Sequence, residues 1–130
     1  MRLLIDTQVL LWFLQNSNDL SEQARDLIID PDNDVCVSIA SYWEIGIKQK
    51  KSPTDMPWTA SVPALEHLAL SQDIVTLPIT PDAIEHTKQL SLDHKDPFDR
   101  IIAASAVVTG LRLISSDAAM DVFVDDRIWE

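Results

Sequence analysis

Glycine is scarce in this sequence, since Gly46 and Gly110 are the only two. A dinucleotide-binding loop needs several glycines in a fixed pattern, and the phosphate-binding loop of nucleotide triphosphatases needs two within one short motif. The two glycines lie in different segments of the chain, so neither loop is present. Two large classes of α/β enzyme are thereby excluded.

Cysteine and histidine are also too few for the metal sites they commonly build. The one cysteine, Cys36, has no partner for a disulfide or a thiolate metal site within the chain, and its apolar neighbours favour a core position. The three histidines, His67, His86 and His94, show no ligand pairing in sequence. We therefore do not expect a zinc hydrolase.

Long apolar runs are missing as well. The longest, Val9 to Leu14 and Ile101 to Val108, are much shorter than the ~20 residues that span a bilayer. The N-terminal apolar residues meet Asp6 before they can form a secretion signal. We expect no membrane association and a cytoplasmic location.

Basic residues number 10 against 21 acidic ones, which gives a formal net charge of −11. Such a balance argues against broad electrostatic adhesion to nucleic acid, because that attraction needs clustered Lys and Arg. The one dense basic cluster is Lys48, Lys50 and Lys51. It is interpreted either as a solvated helix end that complements the helix dipole or as a local grip on phosphate.

The 130 residues, 46% of them hydrophobic, suit a single domain over 1–130. Apolar runs predict strands at 2–5, 35–37, 74–77 and 111–114, with an edge strand at 122–124. Capping residues and helical spacing predict helices at 7–14, 21–29, 38–49, 64–70, from 81, and at 97–110, with prolines 53, 57 and 63 marking a loop and helix entry. This alternation predicts an α/β fold, with a mostly parallel sheet covered by helices on both faces.

Four acidic residues stand at positions where such a sheet could gather them. Asp6 and Asp117 each follow a predicted strand, and ligands bind outside the carboxyl ends of parallel strands. Each acid also has a simpler interpretation. Asp6 and Asp117 suit helix caps, Glu44 suits a surface pair with Lys48, and Asp99 suits a first-turn acid.

The helix after Asp96-Pro97 favours the functional interpretation. Its acid, Asp99, begins a stripe of small residues, and its other positions are so apolar that we expect burial all round. A buried carboxylate needs a partner, and the neighbouring Arg100 cannot neutralise several acids. A hard divalent cation such as Mg²⁺ or Mn²⁺ suits clustered carboxylates. The tryptophans at 12, 43, 58 and 129 are interpreted as core or interface residues, with base stacking as the alternative.

Four blocks of the sequence are similar to one known family. They are Leu4 to Trp12, Ser38 to Lys48, His94 to Ala104 and Leu113 to Asp117, so their order covers almost the whole chain. The sequence resembles the PIN-domain ribonucleases, particularly the toxin subunits of VapBC-type toxin–antitoxin pairs.

This resemblance implies a three-layer α/β/α sandwich and a Mg²⁺- or Mn²⁺-dependent endoribonuclease. It also implies a homodimer inhibited by a small cognate antitoxin. The implied catalytic residues and metal ligands are Asp6, Glu44, Asp99 and Asp117. The supporting residues are Ser115 and Asp96, and we expect RNA contacts from Lys48, Lys50, Lys51 and Arg100.

The expected reaction is metal-assisted hydrolysis of RNA phosphodiester bonds. Two alternatives stay open. An inactive domain of the same fold would only bind a partner protein. An aspartate phosphotransfer domain also places acids at strand ends, but Asp6-Thr7-Gln8 lacks the second early acid that such sites usually need.

Overall fold

Four parallel strands form the sheet in a computed structural model that describes residues 1–51 and 59–130. The strands are β1 (Arg2–Ile5), β2 (Asp34–Ser38), β3 (Ile74–Leu77) and β4 (Arg112–Ile114). Their order is β3-β2-β1-β4, and every pair is parallel. The first strand of the chain is therefore central, so the residue after it lies between two neighbouring strand ends.

Six α-helices connect and cover these strands within the described residues. They are α1 (Thr7–Leu14), α2 (Glu22–Ile29), α3 (Ile39–Lys51), α4 (Val62–Ser71), α5 (Pro81–Thr87) and α6 (Pro97–Thr109). The side chains of Ser21, Thr80 and Asp96 accept hydrogen bonds from first-turn amides, as their positions in the sequence predicted. The loop predicted from prolines 53 and 57 and the interpretation of the tryptophan at 58 fall on residues outside the described part of the chain.

Alternating side chains of the sheet build two separate apolar cores, one on each face. In β1, Leu3 and Ile5 pack on one face with α1, α2 and α4, whereas Leu4 packs on the other with α6. This period of two is the pattern expected for strands covered on both sides. The predicted α/β fold with helices on both faces of a parallel sheet is confirmed.

Two predictions about the C-terminal half are wrong. The predicted edge strand at 122–124 is absent, because a 3₁₀ helix (Ala118–Val122) occupies this region and Phe123 and Val124 pack into the α6 core. The only strand-like contact near the C-terminus in the described chain is a single parallel bridge between Ile114 and Ile128. Helix α6 is also not buried all round, since Val107 is 44% exposed.

None of the helices in residues 1–51 and 59–130 has the length and apolar character needed to cross a bilayer.

Several polar residues lie at the carboxyl edge of the sheet. Asp6 follows β1, Ser38 ends β2, and Ser115 follows β4. Helix α3 contacts both α1 and α6, which places its polar side chains beside the same edge.

Candidate metal centre

Asp6 lies at the centre of the carboxyl edge and is 8% exposed. Its amide donates to the carbonyl of Ile114 at 3.2 Å, which fixes it between β1 and β4. Its carboxylate accepts from the amide of Val9 at 2.9 Å and from the Ser115 hydroxyl. Asp6 is therefore the cap of α1, as the simpler interpretation of its position held.

The capping role does not account for the electrostatics of Asp6. The pKa of its carboxyl group is raised to about 6. Burial is the largest cause, the hydrogen bonds from Ser115 and Val9 oppose it, and the charges of Asp99 and Glu44 add to it. A cap exposed to solvent would have no such desolvation. Asp6 is thus a buried acid that faces two other acids from different helices.

Asp99 approaches the same point from α6. Asp96 caps this helix by accepting from the amides of Phe98 at 2.8 Å and Asp99 at 3.3 Å. The Asp99 carboxylate is one turn deeper, and burial is the main cause that raises its pKa. The hydrogen bond from His94 lowers that pKa, while the charges of Asp96 and Glu44 raise it.

Glu44 extends from α3, and its side chain is only 14% exposed. It pairs with Lys48 one turn later at 3.4 Å, so the simpler interpretation of Glu44 is also correct. Its charge nevertheless raises the pKa of both Asp6 and Asp99. The structure therefore brings Asp6, Glu44 and Asp99 close enough for their charges to interact.

Asp117 joins the cluster from the loop after β4. Its amide donates to the hydroxyl of the buried Ser115 at 3.0 Å, and its carboxylate caps the 3₁₀ helix by accepting from Ala119 at 2.9 Å. Arg127 holds the same loop by donating to the Ser115 carbonyl at 2.9 Å. Ser115 thus links Asp6 and Asp117, which supports its predicted position beside the acids.

His94 completes a group that the sequence did not predict. One ligand atom each of His94, Asp99 and Asp117 lies within 4.8 Å of the other two. The expectation that the histidines have no ligand pairing is therefore wrong for His94. The segment 88–96 that joins α5 to α6 folds back to bring it there, and spacing along one helix cannot indicate such an approach.

The predicted RNA-contact residues occupy two different environments. Lys48, Lys50 and Lys51 end α3 with exposed side chains, as expected for basic residues at a helix C-terminus. Arg100 instead donates to the backbone carbonyls of the α5–α6 connection, among them Thr87 at 3.0 Å. Its guanidinium stabilises that connection and does not neutralise the acids.

The four acids and Ser115 provide oxygen ligands of the kind that Mg²⁺ and Mn²⁺ prefer. Within the described chain, the basic side chains in ion-pair geometry with the four acids are Lys48 beside Glu44 and His94 beside Asp99, and Arg127 interacts with the charge of Asp117. None of these three ion-pairs with Asp6. The arrangement suits a divalent cation that offsets the repulsion among these carboxylates.

Comparisons with known proteins identify the family of the chain. A profile of the PIN domain matches residues 3–124, so the chain belongs to the PIN domain family. Curated protein sequences give no significant match.

Solved structures share the fold of the chain, among them the following three. VapBC2 from Rickettsia felis, bound to a DNA fragment from their promoter, is 13% identical with a TM-score of 0.71, and all of both chains is covered. A toxin–antitoxin complex from Klebsiella pneumoniae is 23% identical with a TM-score of 0.65, covering 97% of this chain and 95% of that one. VapBC-1 from nontypeable Haemophilus influenzae is 18% identical with a TM-score of 0.63, covering 100% and 97%.

Proposed function

We propose that this PIN domain is a metal-dependent endoribonuclease and the toxin component of a VapBC-type pair. The observation that carries the proposal is the gathering of Asp6, Glu44, Asp99 and Asp117 at one edge of the sheet, from two strand ends and two helices. Helix capping and surface pairing account for each acid singly. They do not account for the burial of Asp6 close to two other negatively charged side chains, Asp99 and Glu44.

The ligands of a Mg²⁺ or Mn²⁺ ion would be Asp6, Glu44, Asp99 and Asp117. When bound, such an ion lowers the pKa of a water and offsets the charge that develops on phosphate. The chain positions these acids. Val9 and Ser115 orient the Asp6 carboxylate, Ser115 also fixes the Asp117 loop, and the Asp96 cap sets the start of α6.

The substrate we propose is RNA, whose phosphates would contact the exposed lysines at the end of α3, Lys48, Lys50 and Lys51. These residues supply local positive charge in a protein whose net charge is −11. Arg100 would contribute to RNA binding only through the connection that it stabilises, since its guanidinium already donates to backbone carbonyls. A homodimer in the cytoplasm is part of the same proposal.

The partner we propose is a small antitoxin with a basic segment that covers the acidic edge. The toxin–antitoxin structures with this fold support it, as does the negative charge of the cluster. Co-expression with the product of the neighbouring gene should yield a stable complex without RNA cleavage. A complex that cleaves RNA as fast as the free chain would contradict this part of the proposal.

The decisive experiment compares Asp99→Asn with Asp96→Asn. Asn caps a helix about as well as Asp, so Asp96→Asn should retain the bonds to Phe98 and Asp99 and most of the activity. Asp99→Asn keeps the side-chain volume but removes a charged ligand, and cleavage should slow by a factor on the order of 100 or more.

Cleavage of a model RNA at saturating Mg²⁺ would be measured for both variants, with circular dichroism to verify folding. Failure of the wild type to cleave any RNA with either metal would favour the inactive binding module. A radiolabelled phospho-aspartate formed from acetyl phosphate would favour the phosphotransfer domain. An active Asp99→Asn beside an inactive Asp96→Asn would reverse the assignment along α6.

A further inference from the structure

His94 carries the one nitrogen atom of the three-residue group within 4.8 Å. Its Nε2 lies 2.8 Å from Oδ2 of Asp99, and its side chain is 24% exposed. Asp117 faces the same pair from the β4 loop. A hydrogen bond between His94 and Asp99 accounts for the first two residues, but it gives no reason for the third.

The imidazole is held in this position by contacts outside the acid cluster. Its ring contacts that of Phe123 in a tilted arrangement, with the centroids 5.5 Å apart and the planes at 34°. The His94 carbonyl accepts from Arg100 at 3.1 Å, and the Arg100 guanidinium lies over the same Phe123 ring at 5.6 Å. The aromatic contact and the backbone anchor place the ring before any ligand arrives, which lowers the entropy lost on binding.

We propose that Nε2 of His94 is a metal ligand beside the carboxylates of Asp99 and Asp117. The inference rests on the proposed function, because it concerns the same divalent cation. In an octahedral site with metal–ligand distances near 2.1 Å, adjacent ligands are separated by about 3 Å. The 2.8 Å between Nε2 and Oδ2 matches that separation, so the pair needs little movement to become two neighbouring ligands.

A nitrogen ligand changes which ion the site prefers. Imidazole binds transition metals well, whereas Mg²⁺ favours oxygen and keeps its waters. The site should therefore bind Mn²⁺ more tightly than a site of carboxylates alone would. The preference for Mn²⁺ over Mg²⁺ is the property that depends on His94.

The test uses the full-length protein with Mn²⁺ alone and no RNA. Electron spin-echo envelope modulation of bound Mn²⁺ should show the coupling of a directly bound ¹⁴N. When the three histidines are selectively labelled with ¹⁵N, the ¹⁴N modulation should disappear and the modulation of a directly bound ¹⁵N should take its place. This comparison needs no substitution, so it remains decisive even if a variant fails to fold. Absence of any histidine coupling on bound Mn²⁺ would overturn the inference.

A matched pair of variants assigns the coupling to one residue. His94→Gln keeps an amide donor for Asp99 but loses the imidazole, so the coupling should vanish. Mn²⁺ affinity should fall by at least the roughly 10- to 100-fold that is typical when only an outer-shell partner is lost. Mg²⁺ affinity should change much less. His67→Gln replaces an exposed histidine on α4 and should leave both affinities and the coupling unchanged.

The outcomes separate this inference from the proposed function. If His94 only holds Asp99 by a hydrogen bond, His94→Gln will leave Mn²⁺ and Mg²⁺ affinity nearly unchanged, because its amide can still donate to Asp99, and the wild type will show no nitrogen coupling. RNA cleavage would then stand without the inference. If the protein binds neither ion and cleaves no RNA, the proposed function itself fails.

Discussion

At the scale of single residues, the acids of this site combine a structural and a chemical role. Asp6, Asp96 and Asp117 each cap a helix, yet only Asp6 among these caps is buried. The capping bond orients the carboxylate, and burial raises the free energy of its charged form. An aspartate in this environment is destabilising unless a cation or a proton offsets its charge.

Asp6 should make the metal-free protein less stable as pH rises. Its folded pKa of about 6 exceeds the ordinary 3.8, so the native state holds the proton more tightly than the unfolded chain does. The resulting stabilisation is present below about pH 4 and is lost as pH rises through about 6, a change on the order of 2 to 3 kcal/mol. Urea denaturation in EDTA at several pH values would measure it.

Asp6→Asn supplies the control for this titration. Asn retains the cap but does not ionise, so the stability difference between variant and wild type should grow in favour of the variant across that pH window. Equal pH dependence of the two proteins would show that Asp6 does not carry the effect. A variant less stable than wild type by several kcal/mol throughout would show that its carboxylate is needed for capping.

The positions of the individual acids could be predicted from the sequence, whereas the residues that surround them in the fold could not. Asp96 before Pro97 is a cap signal, and one further turn leads to Asp99, so local spacing separates the two. His94 had no such signal, because its approach to Asp99 and Asp117 depends on a connection held by Arg100. Contacts made by an irregular segment follow from tertiary structure, which periodicity does not describe.

At the scale of elements, helices and strands with clear boundaries were predicted well. Strands 2–5 and 74–77 and helix 7–14 have the predicted bounds. The strand predicted at 122–124 is absent for a physical reason. The apolar side chains of Val122, Phe123 and Val124 suit a strand in a sheet and a segment packed against a helix equally well. Here the Asp117 cap begins a 3₁₀ turn, and Phe123 and Val124 bury their side chains against the α6 core.

The two glycines should respond oppositely to substitution by alanine. Gly110 ends α6 at φ 68°, where a Cβ would meet nothing within 4 Å, so Gly110→Ala should destabilise by about 1 to 2 kcal/mol through backbone strain alone. Gly46 lies inside α3, and its Cβ would contact Val62 at 3.6 Å. Gly46→Ala should therefore stabilise by about 0.5 to 1 kcal/mol.

Chemical denaturation of both variants at pH 7 would test this contrast, with each serving as the matched control for the other. Neither glycine is a ligand of the proposed site, so Mg²⁺ affinity should be unchanged in both. A loss of stability in Gly46→Ala would mean that α3 cannot accommodate a methyl group beside Val62. An unchanged Gly110→Ala would mean that the left-handed terminator contributes little.

At the scale of the whole molecule, the protein carries a net charge of −11, and its fold brings several of the acidic residues together at the carboxyl edge of the sheet. Any divalent cation will be attracted to such a protein, and general screening will stabilise it to some extent. Specific binding differs from screening in two respects. It saturates at low concentration, and it depends on individual ligands at the carboxyl edge.

Mg²⁺ or Mn²⁺ should raise the melting temperature of the isolated protein, because the native site binds the ion and the unfolded chain does not. At about 100 times the dissociation constant, binding adds ~2.7 kcal/mol. For a chain of this size, that corresponds to a rise of roughly 10 °C. Calorimetric melting in a fixed background of KCl would measure it, with extra KCl at equal ionic strength as the control for screening. Asp99→Asn should lose most of the increment while keeping the small effect of KCl. An equal rise with KCl alone, or an undiminished rise in Asp99→Asn, would show that the acids at the carboxyl edge do not form a metal site.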